Sequence, residues 1–213
     1  MKLKDVLLLG VLGATLSGGV ATAQNLMPND DLNAVLWTQR SVEFKGNAMT
    51  VYALGKIRLD QALPGVAVHV FNKGIGGQDA EEMAARMRSD VRPEQAHLVV
   101  WQVGTNSAIR RYPLDKFAER LRAGIDIGKS LGAEFVLMNL QYVPAIVALP
   151  DEEDYARVMA DVAREKKTGL FKRFEIMRSW YNDGMPYAQF VTNDGLHLND
   201  FGQKCIGKLL SKA

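Results

Sequence analysis

Short, nearly uninterrupted apolar runs alternate with longer amphipathic ones along most of this chain. That rhythm limits what it can fold into more than any other feature. Residues 66–71 (VAVHVF) follow the turn pair Pro64-Gly65, and residues 98–103 (LVVWQV) and 135–140 (FVLMNL) repeat the pattern, with a weaker run at Leu170-Phe171. Between them, residues 80–89, 114–131 (closed by Gly132), 151–167 (entered by acidic residues) and 200–212 carry helical spacing. A strand apolar on both faces needs cover on both, and strands separated by helices pair in parallel. The expectation is an α/β chain with a parallel sheet and helices on either side. No repeat, linker or low-complexity stretch divides residues 24–213, which read as one domain.

Residues 1–23 stand apart. Lys2 and Lys4 open the chain, an uncharged and mostly apolar run fills 6–20, and Ala21-Thr22-Ala23 offers a small-x-small cleavage point before Gln24. This is the pattern of a secretory signal peptide and places the mature chain in the periplasm or outside the cell. The run is short and glycine-broken for a retained span, so no stable membrane span is expected after its removal. A net charge of +2, with 26 Lys+Arg against 24 Asp+Glu and no long basic run, gives no reason to expect nucleic acid as a partner. Cys205 is the single cysteine, which excludes an internal disulfide, and its apolar helical neighbours predict a buried, inert thiol.

In open parallel sheets, chemistry gathers beyond the C-terminal ends of the strands. Three such segments carry suitable residues. The first, NKGIGGQD at 72–79, has three glycines in four positions, able to present backbone amides to an anion. The second, Gly104-Thr105-Asn106, offers a side-chain amide at a strand end, although an Asn there also starts ordinary Asx turns. The third, Asp194-Gly195-Leu196-His197, spaces a carboxylate and an imidazole so that one can orient the other, although Asp-Gly is also a common turn pair. No His, Cys or carboxylate cluster has metal-ligand spacing, so neither metal nor cofactor is expected. His69 lies within a strand and His97 ahead of one, at the far end from the site. Asn139, Leu140, Gln141 and Tyr142 are placed at a pocket by position alone, and Trp180 and Tyr181 are expected to pack rather than bind sugar.

Taken in order, NKGIGG, WQVGTN and DGLHLND resemble the blocks of the SGNH (GDSL-type) esterase and lipase family across roughly residues 66–213. The resemblance implies a flavodoxin-like three-layer α/β/α sandwich and a serine hydrolase acting on a small-molecule ester. It would make Gly77 and Asn106 oxyanion donors, Asp194 the orienter and His197 the base. The same residues would serve acyl transfer to an acceptor.

The family's opening G-D-S block is missing. Ser17 leaves with the signal peptide. Ser89, Ser130 and Ser211 fall in or at the ends of helices, Ser179 is out of family order, and Ser107 directly follows Asn106. Ser41 occupies the one suitable position, 36 residues before Gly77 (77 minus 41), with Asn33 to Thr38 as a first strand. The same region also reads as one long helix: residues 30–63 contain no proline, and Leu32, Val35, Leu36, Val42, Met49, Ala53 and Ile57 share a face. The run LNAVLWTQRSVEFK also looks like the leading helix of periplasmic acid phosphatases of the HAD superfamily. Their D-x-D-x-T motif is absent, so phosphatase chemistry does not carry over. Both readings of Ser41, nucleophile after a strand or residue inside a helix, stay open on the sequence.

Overall fold

The computed structural model describes residue 71 and residues 73–210. The 66–71 run with His69, the whole 30–63 region with Ser41, and the N-terminal 23 residues lie outside that range, apart from Phe71.

Among the described residues the chain runs α1 (Ala80–Glu94), β1 (Leu98–Gln102), α2 (Thr105–Ile109), α3 (Leu114–Ser130), β2 (Glu134–Met138), α4 (Pro144–Val147) and α5 (Glu152–Glu165). It continues through β3 (Gly169–Phe171), α6 (Arg173–Asn182), α7 (Tyr187–Phe190) and α8 (Asp200–Leu210). The three strands form a parallel sheet in the order β1-β2-β3, with Val99 opposite Phe135, Trp101 opposite Leu137 and Met138 opposite Phe171. Val99, Trp101, Phe135 and Leu137 are buried, and so are Val100 and Met138, which alternation turns to the other face. Burial on both sides is what the unbroken apolar runs predict.

Helix α3 lies against the sheet because two glycines, one turn apart, remove the side chains that would hold it off. A Cβ on Gly124 would stand 2.5 Å from the Trp101 ring, and one on Gly128 would stand 2.2 Å from the Phe135 ring. The rings fill the two notches. On either side, α1 and α5 pack along α3 and complete that layer.

The short helices α2, α4 and α7 are additions to the sequence expectation, and two longer helices differ from it for physical reasons. Helix α1 continues past Ser89 to Glu94 because Val91, 1% exposed, belongs to the core, and Pro93 forgoes the one bond its missing N–H would have made before the helix ends one residue later. Helix α6 has no counterpart among the expected elements. Its N-terminus is held from a distance: Asn139, at the tip of β2, accepts from the Phe174 amide at 2.9 Å and donates to Glu175 Oε2 at 2.8 Å. A cap 35 residues away leaves no local signal. Cys205 is buried on α8, and burial pushes its thiol up to about 12. No helix among the described residues is long and apolar enough to cross a membrane.

Candidate active site

Beyond the strand tips, residues 191–198 fold back on themselves. Val191 and Leu198 form an antiparallel bridge, the Thr192 amide donates to the His197 carbonyl at 2.8 Å, and the Gly195 amide donates to the Thr192 carbonyl at 3.0 Å. Inside this loop one oxygen of Asp194, Oδ1, accepts from the Leu196 amide (2.8 Å), the His197 amide (2.9 Å) and the Thr192 hydroxyl (2.6 Å). The other oxygen, Oδ2, lies 2.6 Å from His197 Nδ1. Partial burial works to raise the carboxyl. It is outweighed by the hydrogen bonds from Thr192, the two amides and the imidazole, which hold Asp194 far below the usual carboxylate range. Asp194 is therefore ionised and fixed, and it sets the imidazole with Nδ1 inward. His197 Nε2 has no hydrogen-bond partner among the described residues, and the side chain is 37% exposed.

The G-T-N segment occupies the end of β1. Gly104 has φ +108°, and a Cβ there would lie 3.1 Å from both Leu140 Cδ2 and Met159 Sδ, so glycine is required for backbone shape and for space. From this turn Asn106 Nδ2 donates to the Gln78 carbonyl at 2.8 Å. That bond joins the β1 tip to the glycine loop. Arginines hold the rest of the loop: Arg110 donates to the Gly77 carbonyl (2.9 Å) and pairs with Asp79 and Glu82, while Arg86 donates to the Lys73 carbonyl (2.7 Å) and to Gln78 Oε1 (2.6 Å). The bonds thus fall on the loop's carbonyls, while the exposed Gly77 (φ +82°) makes none through its amide among the described residues. An open cleft runs between loop and tip, lined by Ile75, Gln78, Gly104, Thr105 and Asn106 among others; His197 stands outside its wall.

Gln141 links the two halves, and its role had no signal in the sequence beyond its place after a strand. It is 5% exposed, its Nε2 donates to the Leu196 carbonyl at 2.8 Å, and its Oε1 lies 3.3 Å from the Thr105 hydroxyl. The neighbours of His197 and of Asn106 are therefore tied to one side chain. Alongside it, the Ala145 amide of α4 donates to the Gly195 carbonyl at 3.0 Å. Of the other residues placed at a pocket by position, Asn139 and Leu140 are buried inward, and Tyr142 joins an aromatic group instead.

No described serine is paired with His197. Ser107 is fully buried and accepts from the Ala80 amide at 3.2 Å, while Ser89, Ser130 and Ser179 donate to carbonyls three residues earlier in their own helices. His97 stands exposed at the opposite end of β1. No group of three His, Cys, Asp or Glu side chains is gathered as a metal site among the described residues.

A parallel sheet with glycine loop, G-x-N turn and His–Asp loop at its tips defines an SGNH-type hydrolase scaffold. The chain belongs to the Non-GDSL lipase-like family, which it matches over residues 20–213. An acetylxylan esterase from Geobacillus stearothermophilus is 26% identical over 133 residues, a match taking in 56% of this chain and 60% of that protein. The crystal structure of Axe2, an acetylxylan esterase from the same organism, superposes with a TM-score of 0.64 at 22% identity, over 76% of this chain and 79% of that one. TesA superposes with a TM-score of 0.62 at 24% identity, over 74% and 82% of the two chains. These likenesses show the fold: the flavodoxin-like three-layer α/β/α sandwich that the alternating runs and the motif order predict.

Proposed function

We propose that this chain is an exported serine esterase cleaving small or carbohydrate-linked acyl esters. The observation that carries the reading is the His197 imidazole, held through Nδ1 by an ionised Asp194 with Nε2 uncommitted. That is the half of a Ser-His-Asp site able to take a proton from a hydroxyl and return it to a leaving group. Solved variants of Axe2 described as catalytic mutants replace a serine, an aspartate and a histidine, the last two three positions apart. Asp194 and His197 have the same spacing.

In this reading the Ser41 Oγ attacks the acyl carbon as its proton passes to His197 Nε2. The Gly77 amide and the second N–H of the Asn106 amide, the first being engaged by Gln78, face the oxyanion. Collapse expels the alcohol, which takes the proton from Nε2. Water then adds to the acyl-enzyme, giving its proton to Nε2, and the acid leaves with Ser41 restored. Export rests on the N-terminal 23 residues and predicts a mature N-terminus at Gln24, readable by intact-mass analysis of secreted protein.

A second reading, a binding protein that keeps the scaffold without a nucleophile, is favoured by the missing G-D-S block and by the helical or buried engagement of each described serine. A fluorophosphonate probe separates the two, since it labels only an activated serine. Labelling at Ser41, together with p-nitrophenyl acetate turnover lost in Ser41→Ala and in His197→Ala, supports the esterase. Full activity in Ser41→Ala removes that nucleophile, and an unlabelled, inactive wild type leaves the binding protein.

A further inference from the structure

The end of α6 and the start of α7 place aromatic rings beside the His197 loop that the esterase chemistry does not use. Trp180 and Tyr181 part company: Trp180 is buried edge-on against Phe190, with centroids 5.6 Å apart, whereas Tyr181 is 43% exposed. Tyr181 lies nearly parallel to Tyr187, at 4.4 Å between centroids and 22° between planes. Tyr142 stands 6.1 Å from Tyr187 and 6.0 Å from Tyr181, with Phe174 edge-on behind it at 5.2 Å. The inner rings are anchored to the core. Tyr181 is the outer layer, stacked on a rigid backing.

The chain ties this layer to the site. Tyr142 directly follows Gln141, whose amide holds the Leu196 carbonyl, and the Tyr187 carbonyl accepts from the amide of Val191, the residue paired with Leu198. Its chemistry narrows what it can hold. The exposed large apolar side chains among the described residues are Ile75, Ile109 and Tyr181, and only Tyr181 belongs here. One ring face does not make the broad aliphatic patch that an acyl chain or a lipid surface needs. The nearby cation, Arg178, is paired with Glu153 at 2.8 Å and sits over Phe174, so it is not left for an anionic ligand. Burial and the Tyr142 hydroxyl push the Tyr187 phenol far above its ordinary value, so it stays neutral. A flat, uncharged ring with polar edges suits the C–H face of a neutral sugar, whose hydroxyls remain in water.

We propose that Tyr181, backed by Tyr187 and Tyr142, is a stacking subsite for a neutral sugar ring on the alcohol side of the ester. This rests on the esterase reading for its place in the reaction, but not for its ability to bind. The test uses the full mature chain and its Tyr181→Ala, Tyr181→Phe and Tyr181→Trp variants. Calorimetry reads the binding of unacetylated xylotetraose and cellotetraose, and turnover is followed on acetylated xylo-oligosaccharide and on methyl acetate. Tyr181→Ala should weaken the binding of at least one oligosaccharide by roughly three- to tenfold and raise KM for the oligosaccharide ester similarly. The Phe and Trp variants should stay within about twofold of wild type, and the KM for methyl acetate, whose alcohol carries no ring to stack, should change less than the KM for the oligosaccharide ester. Equal affinity in wild type and Tyr181→Ala, or no binding by either, overturns the subsite even if the enzyme is an active esterase. Tyr181-dependent binding in a protein that hydrolyses no ester upholds the subsite and sinks the esterase reading.

Discussion

The two loops at the strand tips, the His197 loop and the glycine loop, are held by different means. The His197 loop is built largely from itself: its turn and the Asp194 bonds to the Leu196 and His197 amides span three residues or fewer, its closure joins Val191 to Leu198, and Gln141 and Ala145 each add one bond from outside. The glycine loop is held from outside, its carbonyls at Lys73, Gly77 and Gln78 being bonded by Arg86 of α1, Arg110 just after α2 and Asn106 of α2. The first loop should keep its shape wherever its own residues are kept. The second depends on side chains that reach it from two separate helices and the residue after one of them. A base needs one fixed direction, which short-range bonds supply. In the proposed esterase reading the glycine loop would supply donors for a developing charge, which need several groups set in register by the long side chains that hold its carbonyls.

The largest effect is expected inside the self-built loop. His197→Ala should lower kcat/KM for p-nitrophenyl acetate by roughly a thousand- to ten-thousand-fold, and Asp194→Asn should approach that loss. The asparagine can still accept from the two amides through one oxygen, so the loop should keep its shape, and the melting temperature at neutral pH should fall only by the modest share that the Asp194 charge contributes. A loss below tenfold in Asp194→Asn would mean that the carboxylate serves the loop and not the imidazole.

Next comes the bridge between the loops. Gln141→Leu removes the donor to the part-buried Leu196 carbonyl and leaves the buried Thr105 hydroxyl without its acceptor. An unsatisfied buried acceptor costs about 1–3 kcal/mol. At about 2–4 °C per kcal/mol for a chain of this size, calorimetry should find a clear drop in melting temperature. Activity should fall with it, and an unchanged melting temperature would show the loops to be independent.

Arg110→Ala probes the clamped loop alone. The guanidinium and Glu82 are half-exposed, and the buried Asp79 keeps its bonds from the Glu81 and Glu82 amides, so the loss of stability should stay at about 1 kcal/mol. Release of the Gly77 carbonyl should lower kcat by roughly tenfold with KM little changed if the loop shapes an oxyanion site. A pure KM effect would assign the loop to binding instead.

The smallest effect is in acid. Asp194 has a folded-state pKa far below its unfolded value of about 3.9. Its contribution to stability is therefore complete above that unfolded value and fades as pH falls below it toward the depressed folded one. Melting temperatures of wild type and Asp194→Asn should converge as pH drops below about 4; a gap that stays constant would show that the charge plays no part in closing the loop.

The same contrast explains what was legible in the sequence. Asp194 and His197 could be read because every bond that joins them is local, and the sheet could be read because both of its faces are apolar. The arginine clamps could not, since Arg86 and Arg110 are 24 residues apart (110 minus 86) and carry no periodic mark. Helix α6 was hidden because its cap comes from Asn139. Tyr181 reads as a packing residue beside Trp180, yet the helix turns one ring into the core and leaves the other at the surface. Ser41 lies outside the described residues, where the choice between strand and helix stands as the sequence left it.

The two oxygens of Asp194 divide their duties, one gripping the backbone and the other gripping the imidazole. Taking the ring away leaves the first grip whole, so the turn would persist as an empty berth with its negative charge still aimed at the vacated position. A loop organised in this way can lose the imidazole without losing the seat made for it, and a small diffusible base of the right shape would find that seat already prepared.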